Sequence, residues 1–195
     1  MKSSLLKQTL SELTLRPQGT VADRVKALQR GGRLSKGERG RYGGAIMTST
    51  DRINGLLACL FDSVESVERL RGLPLSYALY NPIGPNLSNE DNARCAFQAV
   101  EKLNIRFDDL GVALDAIVES LRTNAFATWS AGTRVSVTVD FLGDNHALLF
   151  FDRPQFNVAA TFAFTNQSNE KSAPIERFVR VNTVAFERLA VDDTT

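Results

Sequence analysis

The sequence predicts an α+β protein: an N-terminal small helical (helix-turn-helix-like) region, followed by helices packed on a small antiparallel sheet. Two observations support this prediction. Apolar residues recur at helical spacing through most of the chain before Trp129, and beyond it they alternate with polar residues, which is the period of a half-buried strand. The 195 residues are 43% hydrophobic and 23% charged, a composition typical of a globular protein that can bury a core.

Two short helices are predicted to open the chain. Leucines at near-helical spacing predict the first over Ser4 to Leu15, and Pro17 ends it because proline cannot continue a helix. The second is predicted to begin at Thr20, with Asp23 three residues later as its capping partner. The glycine pair at 31–32 then ends it, since glycine is favoured just beyond a helix.

A third helix is predicted after a glycine-rich segment. Thr48 is expected to cap this helix, with Asp51 as the acidic partner three residues later. An apolar stripe from Ile53 to Leu60 indicates that one side is buried. A further helical turn or two over Val64 to Leu70 is predicted to end before Pro74.

The second part of the chain is predicted to contain two helices, a sheet and a closing helix. Leu75 to Asn89 holds two prolines and a glycine and is interpreted as a connecting loop, so residues 1–73 and 74–195 are expected to form two regions. Helices are predicted over Asn89 to Leu103, Asp108 to Leu121 and Val184 to Leu189. Strands are predicted over Val135 to Phe141, His146 to Phe151, Asn157 to Thr165 and Ile175 to Val181.

Charge is distributed unevenly along the chain, although the net charge is only +1. Residues 1–73 hold 13 Lys and Arg against 7 Asp and Glu, a balance of +6, and residues 74–195 hold 10 against 15, a balance of −5. This split indicates that the first region faces a polyanion or an acidic partner, or that the two regions face each other.

The strongest candidate binding site is a basic glycine-rich loop, GRLSKGERGRYGG at residues 32–44, with the helices beside it. Leu34 and Tyr42 are its only sizeable apolar residues, too few for a core, so the loop is expected to be exposed. Cations there would neutralise phosphates without reading a base sequence, but a solvated linker or a protein-binding loop has the same composition. The candidate nucleic-acid contacts are Arg24, Lys26, Arg30, Arg33, Lys36, Arg39, Arg41 and Tyr42.

The sequence nominates no catalytic, metal-binding or cofactor-binding residues. GRLSKGERG lacks the lysine and hydroxyl that end a phosphate-binding P-loop, and GxGxxG is absent. Cys59 and Cys95 without CxxC spacing, and the single His146, do not make a zinc site and are interpreted as buried thiols and a turn residue. The acid pairs at 108–109 and 192–193 are attributed to a helix N-terminus and a frayed tail. An enzyme is therefore the third-ranked hypothesis, and no cofactor is expected.

A cytoplasmic protein without membrane contact is expected. The longest apolar runs, Leu56 to Phe61 and Ala147 to Phe151, are far below the roughly 18 residues that a membrane-spanning helix needs. The N-terminal leucines are interrupted by polar residues, unlike the apolar segment of a signal peptide.

Val21 to Leu60 resemble the start of uncharacterised prophage-type bacterial proteins, in which a short helix and a basic glycine-rich turn precede a leucine-rich helix containing T-x-x-D. The resemblance covers about a fifth of the chain and implies a phage or mobile-element context and a DNA-binding N-terminus. The leading hypothesis is therefore a non-enzymatic DNA-binding regulator or packaging accessory that forms a homodimer. The alternative is a protein-interaction module, such as an inhibitor of a host system, that acts through the acidic C-terminal half.

Overall fold

Helices precede and follow a five-stranded antiparallel sheet. The structure, a computed structural model, describes residues 1–36, 45–82, 100, 103, 105–130, 135–153, 156–164 and 178–192. Seven helices and five strands lie within these ranges, so the predicted α+β class is confirmed. Their order is α1 (Ser3–Thr14), α2 (Gln18–Arg30), α3 (Ser49–Phe61), α4 (Val64–Arg71), β1 (Leu75–Pro82), α5 (Leu110–Arg122), α6 (Ala125–Ser130), β2 (Ser136–Leu142), β3 (His146–Arg153), β4 (Phe156–Ala163), β5 (Phe178–Asn182) and α7 (Thr183–Ala190).

The first two helices are present, but α2 starts differently from the prediction. After α1, Leu15 adopts a left-handed conformation with φ of 54°. Helix α2 then begins at Gln18, with Pro17 at its N-cap and no side-chain capping hydrogen bond. The predicted capping pair of Thr20 and Asp23 is therefore wrong. Pro17 has no side-chain oxygen that could accept from the N–H groups of the first turn, but its ring holds φ at −55°, a value that suits the start of a helix.

Helix α3 is the central helix and carries the predicted cap. The Thr48 hydroxyl accepts a hydrogen bond from the Asp51 N–H at 3.1 Å, and the Asp51 carboxylate accepts one from the Thr48 N–H at 2.9 Å. Helix α3 contacts α1, α2, α4, α5 and α7, and every residue from Asp51 to Cys59 is buried. A helix enclosed on all sides also buries its polar residues, which then need hydrogen-bond partners.

The strands form one sheet in the order β1-β4-β3-β2-β5, with every neighbouring pair antiparallel. Strand β1 occupies the part of the chain that was interpreted as a connecting loop, so that interpretation is wrong for residues 75–82. It pairs with β4 from Leu75 opposite Phe162 to Pro82 opposite Phe156, with a register shift between Leu75 and Tyr77. Proline is tolerated there because β1 is an edge strand.

One face of the sheet packs on the core. Buried positions alternate along β2, β3 and β4, as expected for a sheet with one covered face. Their register brings them together: Val139 of β2 lies opposite Leu149 of β3 and Val181 of β5, and Leu149 lies opposite Ala160 of β4. The third predicted strand, over Asn157 to Thr165, is shorter at its end than predicted: β4 ends at Ala163, and Phe164 beyond it is 42% exposed.

Helices on the two sides of residue 73 pack against each other. Helix α3 contacts α5 and α7, and α1 contacts α7. Arg71 of α4 forms two hydrogen bonds, of 2.9 and 2.7 Å, with the carboxylate of Asp115 in α5. The Leu110 N–H donates to the Leu73 carbonyl at 2.9 Å. The division of the chain into residues 1–73 and 74–195 stays a prediction.

Other sequence-based expectations fall partly outside the described ranges. Almost all of the helix predicted over Asn89 to Leu103, including Cys95, lies outside the described residues. The beginning of the fourth predicted strand, at Ile175, also lies outside them. No helix in the described part of the chain is long and apolar enough to cross a membrane.

Cys59 is buried in α3, as predicted from its apolar surroundings. Burial is the main cause that raises the pKa of its thiol from 9.0 to about 11, although the positive charges of Arg16 and Arg24 act in the opposite direction. The reactive thiolate is therefore scarce at neutral pH, and the thiol is shielded by packing.

We expect the folded chain to protect Cys59 from alkylation. In a Cys95→Ser background, iodoacetamide at neutral pH should modify Cys59 at least about a hundredfold more slowly in the folded than in the urea-unfolded chain. The same pKa difference makes the stability depend on pH. The Cys59 thiol ionises near pH 9.0 in the unfolded chain and only at about 11 in the folded chain. The contribution of the neutral thiol to the free energy of unfolding is therefore present below pH 9 and is lost as the pH rises towards 11. Cys59→Ala should lack this component, and rapid labelling of the folded chain would contradict the assignment.

Candidate nucleic-acid interface

Three of the eight predicted nucleic-acid contacts lie together on an exposed cationic surface. Lys26 and Arg30 are four residues apart in α2, a spacing that places them on one helix face. With Gln29 and Lys36 they line a concavity of about 280 Å³, and we call these four residues the α2 patch. All three cations are exposed, and none forms an ion pair with any residue that the structure describes. They are therefore available to an anionic ligand.

The beginning of the basic loop is anchored in the core. Leu34 is only 3% exposed and belongs to the main hydrophobic cluster, so the expectation that the whole segment is an exposed loop is wrong at this residue. In the sequence Leu34 is a single apolar residue among polar ones, which does not by itself predict burial. The contacts that bury Leu34 come from other parts of the chain. Residues 33–36 are consequently held against the helices.

Three hydrogen bonds fix the backbone of this anchored segment. The Ser35 N–H donates to the Asp51 carboxylate at 2.8 Å, and the Asn54 amide donates to the Arg33 carbonyl at 2.6 Å. The Gln29 amide donates to the Ser35 carbonyl at 3.3 Å. Asp51 and Asn54 are both buried in α3, so the partners of the segment are themselves rigidly placed. This arrangement sets the position of the backbone immediately before Lys36 beside α2.

Two other predicted contacts are paired with acids of the chain itself. Nε of Arg33 lies 2.6 Å from the Glu68 carboxylate in α4. Arg24 lies 3.6 Å from the Asp62 carboxylate, which also accepts a hydrogen bond of 2.7 Å from Arg16. Both acids belong to residues 1–73, so these arginines are not neutralised by the acidic C-terminal region. They would meet a phosphate only in competition with a carboxylate.

The remaining three candidates, Arg39, Arg41 and Tyr42, lie outside the described residues. The described chain resumes at Ala45, and Ile46 forms an isolated antiparallel bridge with Lys2. The Met47 N–H donates to the Met1 carbonyl at 2.9 Å. Both ends of the glycine-rich segment are thus attached to the body of the fold.

A second charged cluster, centred on Arg52, was not predicted. Arg52 is 2% exposed, and its guanidinium donates to the carbonyls of Met47 at 3.2 Å and Leu189 at 2.8 Å and forms an ion pair with Asp192. It therefore links α3 to the end of α7. The sequence does hold one signal for the burial of Arg52, the nearly continuous apolar run that follows this residue in α3. Such a run indicates a helix that is buried on all sides, and such a helix also buries its arginine.

Asp192 is held in place, so its assignment to a frayed tail is wrong. Its carboxylate accepts a hydrogen bond from the α-amine of Met1 at 2.8 Å and also pairs with Arg52 and, at 3.4 Å, with Arg122. The hydrogen bond from the amine, followed by that from Arg52, holds the pKa of Asp192 well below its usual range. The carboxylate is consequently ionised at neutral pH.

Around the same cluster, Glu119 connects α5 to the start of α3. Its carboxylate accepts hydrogen bonds from Nε of Arg122 at 2.9 Å and from the Ser49 hydroxyl at 3.0 Å. The bond from Arg122, more than that from Ser49, lowers the pKa of Glu119. Among the residues that the structure describes, no group of three or more His, Cys, Asp or Glu could hold a metal ion.

Comparison of the chain with protein-family models, with curated proteins and with solved structures finds no match.

Proposed function

We propose that the chain is a non-enzymatic DNA-binding protein that contacts phosphates through the α2 patch. The observation that supports this proposal is the set of three exposed cations, without ion-pair partners in the described chain, around one concavity. Lysine and arginine neutralise the phosphate backbone, and the release of condensed counterions drives such binding. Contacts of this kind position a protein on a duplex but do not read its sequence.

The hydrogen bonds at residues 33–36 make the α2 patch a preorganised surface. The backbone before Lys36 is held by Asp51 and Gln29, and the backbone of Lys26 and Arg30 is held by their helix. A surface that is already in place loses less conformational entropy on binding than a free loop does. This favours the α2 patch over an unanchored loop as the main phosphate contact.

The biological role attached to this proposal is a prophage or mobile-element regulator or a packaging accessory. A homodimer would place two α2 patches on one duplex and double the phosphate contacts. The protein-interaction alternative has less support, because many described acids of the C-terminal region face cations of the chain itself. These acids are Asp115, Glu119, Asp140, Asp144 and Asp192.

Replacing Lys26, Arg30 and Lys36 together by glutamine should weaken binding to unrelated DNA duplexes about ten- to thirtyfold at moderate salt. Each phosphate contact contributes about 0.9 to the slope of log affinity against log salt concentration, so the slope should become shallower by about 2.7. Fluorescence anisotropy over a range of salt concentrations measures both quantities, and circular dichroism checks that the fold is retained.

A matched control removes three exposed cations from other surfaces. Arg69, Arg106 and Arg188 are at least half exposed and already pair with acids, so replacing all three by glutamine changes the net charge equally. This control should leave the salt slope nearly unchanged. Equal losses in both triple variants would show that net charge, and not the α2 patch, governs binding. An Arg39→Ala, Arg41→Ala variant tests the predicted loop contacts separately.

A further inference from the structure

The ion pair between Arg33 and Glu68 lies at the end of the helix that carries the α2 patch. The Arg33 N–H donates to the Leu28 carbonyl at 2.9 Å, so the backbone of Arg33 stays close to the last turn of α2. A Cβ atom added at Gly31 would lie 2.9 Å from Nη1 of Arg33. The guanidinium therefore lies across the end of α2, the helix turn that also carries Arg30 of the α2 patch.

Glu68 reaches this guanidinium from helix α4, which packs against α2. Nε and Nη2 of Arg33 lie 2.6 and 2.5 Å from the same carboxylate oxygen of Glu68. Nη1 has no acceptor among the residues that the structure describes. The positive charge of Arg33 is thus neutralised by one carboxylate, while two of its five N–H donors are still available to an anion.

The pair lies at the surface, where a ligand can compete with it. The Glu68 side chain is 65% exposed and that of Arg33 is 29% exposed. Because exposed ion pairs contribute little to stability, removing the charge of Glu68 should leave the fold intact. A DNA phosphate would offer Arg33 an anionic acceptor, and contact with it would also release condensed counterions. Arg33 is therefore expected to contact a phosphate once Glu68 no longer neutralises it.

Arg24, the other candidate contact that is paired with an acid, is held differently. Its guanidinium lies 3.6 Å from the Asp62 carboxylate, which also accepts a hydrogen bond of 2.7 Å from Arg16. Removing Asp62 would therefore affect two arginines at once. Glu68 forms an ion pair only with Arg33 among the described residues, so its effect on a single arginine can be isolated.

We propose that Glu68 restrains DNA binding by holding Arg33, which is a latent fourth phosphate contact beside the α2 patch. Without the carboxylate of Glu68, the cationic surface would comprise Lys26, Arg30, Arg33 and Lys36. This inference rests on the proposed function, because it requires that the α2 patch contacts phosphates.

Glu68→Gln tests the proposal, since it keeps the shape of the side chain and removes its charge. This variant should bind unrelated DNA duplexes about two- to threefold more tightly than the unmodified chain at moderate salt. The slope of log affinity against log salt concentration should become steeper by about 0.9, the value of one added phosphate contact. Fluorescence anisotropy over a range of salt concentrations measures both quantities.

A double variant shows whether the gain acts through Arg33. The chain with both Glu68→Gln and Arg33→Gln should bind DNA with the affinity and the salt slope of Arg33→Gln alone, because the released guanidinium is then missing. A gain from Glu68→Gln that persists in the Arg33→Gln background would overturn the proposal.

Glu12→Gln is the matched control. Glu12 is 50% exposed and pairs with Arg188 at 3.2 Å, so its replacement changes the net charge equally but releases no candidate contact. It should leave the salt slope nearly unchanged, and an effect equal to that of Glu68→Gln would overturn the proposal. An unmodified chain that does not bind DNA would remove the proposed function and this inference together. An unmodified chain that binds DNA, combined with an unchanged or lower affinity of Glu68→Gln, would remove this inference alone.

Discussion

Replacing Arg52 by methionine is expected to lower the free energy of unfolding by about 3 kcal/mol. The substitution keeps an apolar stem in α3 but leaves the buried carbonyls of Met47 and Leu189 without their donor. Removing one partner of a fully buried ion pair costs roughly 3 to 5 kcal/mol. Asp192 is 38% exposed and keeps two other cationic partners, so the lower end of that range applies. Urea unfolding followed by circular dichroism measures the change.

Arg188→Met is the control for this prediction, because Arg188 is 51% exposed and pairs with Glu12 at 3.2 Å on the surface. Exposed ion pairs contribute about 0 to 1 kcal/mol to stability. The free energy of unfolding of Arg188→Met should therefore differ from that of the unmodified chain by less than about 1 kcal/mol. If the two substitutions had similar effects, Arg52 would not be the buried link between α3 and α7 that the contacts describe.

Replacing Asp51 by alanine should lower the free energy of unfolding by about 2 to 3 kcal/mol and weaken DNA binding as well. One carboxylate oxygen caps α3 through the Thr48 N–H, and the other holds the Ser35 N–H, so two backbone donors lose a charged acceptor at once. The segment that precedes Lys36 would loosen, and the α2 patch would lose part of its preorganisation.

Thr48→Ala separates the two functions of Asp51. It removes only the hydroxyl half of the capping box, so it should cost about 1 kcal/mol of stability and leave Ser35 attached. Its affinity for DNA should therefore match that of the unmodified chain, whereas Asp51→Ala should lose several-fold at temperatures where both variants are folded. Equal DNA affinity in the two variants would contradict the prediction, because it would show that the hydrogen bond from Ser35 to Asp51 does not contribute to DNA binding by the α2 patch.

Helices and central strands were predictable because their signals are local. The Thr48 and Asp51 capping pair lies three residues apart, and the alternation along β2 is visible within seven residues. Strand β1 was missed because Pro82 at its end, with Gly84 and Pro85 just beyond it, favoured a loop over residues 75–89. The strand that pairs with β1, β4, lies about 80 residues further along the chain. A pairing between such distant segments produces no pattern within the sequence of β1 from which a strand could be predicted.

The candidate site was only partly predictable, for a related reason. The sequence identifies which side chains are cationic, but it does not show which of them already face an acid. Arg24 and Lys26 are two residues apart in α2, yet only Arg24 lies beside a carboxylate, that of Asp62 at the end of α3. The Arg52 cluster was missed because its partners Leu189 and Asp192 lie more than 130 residues away.

By itself the sequence determined the α+β class, the cap of α3, the burial of Cys59 and the concentration of cations in the first 73 residues. These features depend on the spacing and chemistry of neighbouring residues, which a single sequence displays directly. Only the tertiary structure decided which cations are unpaired, that Leu34 anchors the basic loop, and that Asp192 meets Arg52. Those outcomes depend on distant segments that meet in space, because burial and pairing free energies depend on the partner that the fold provides.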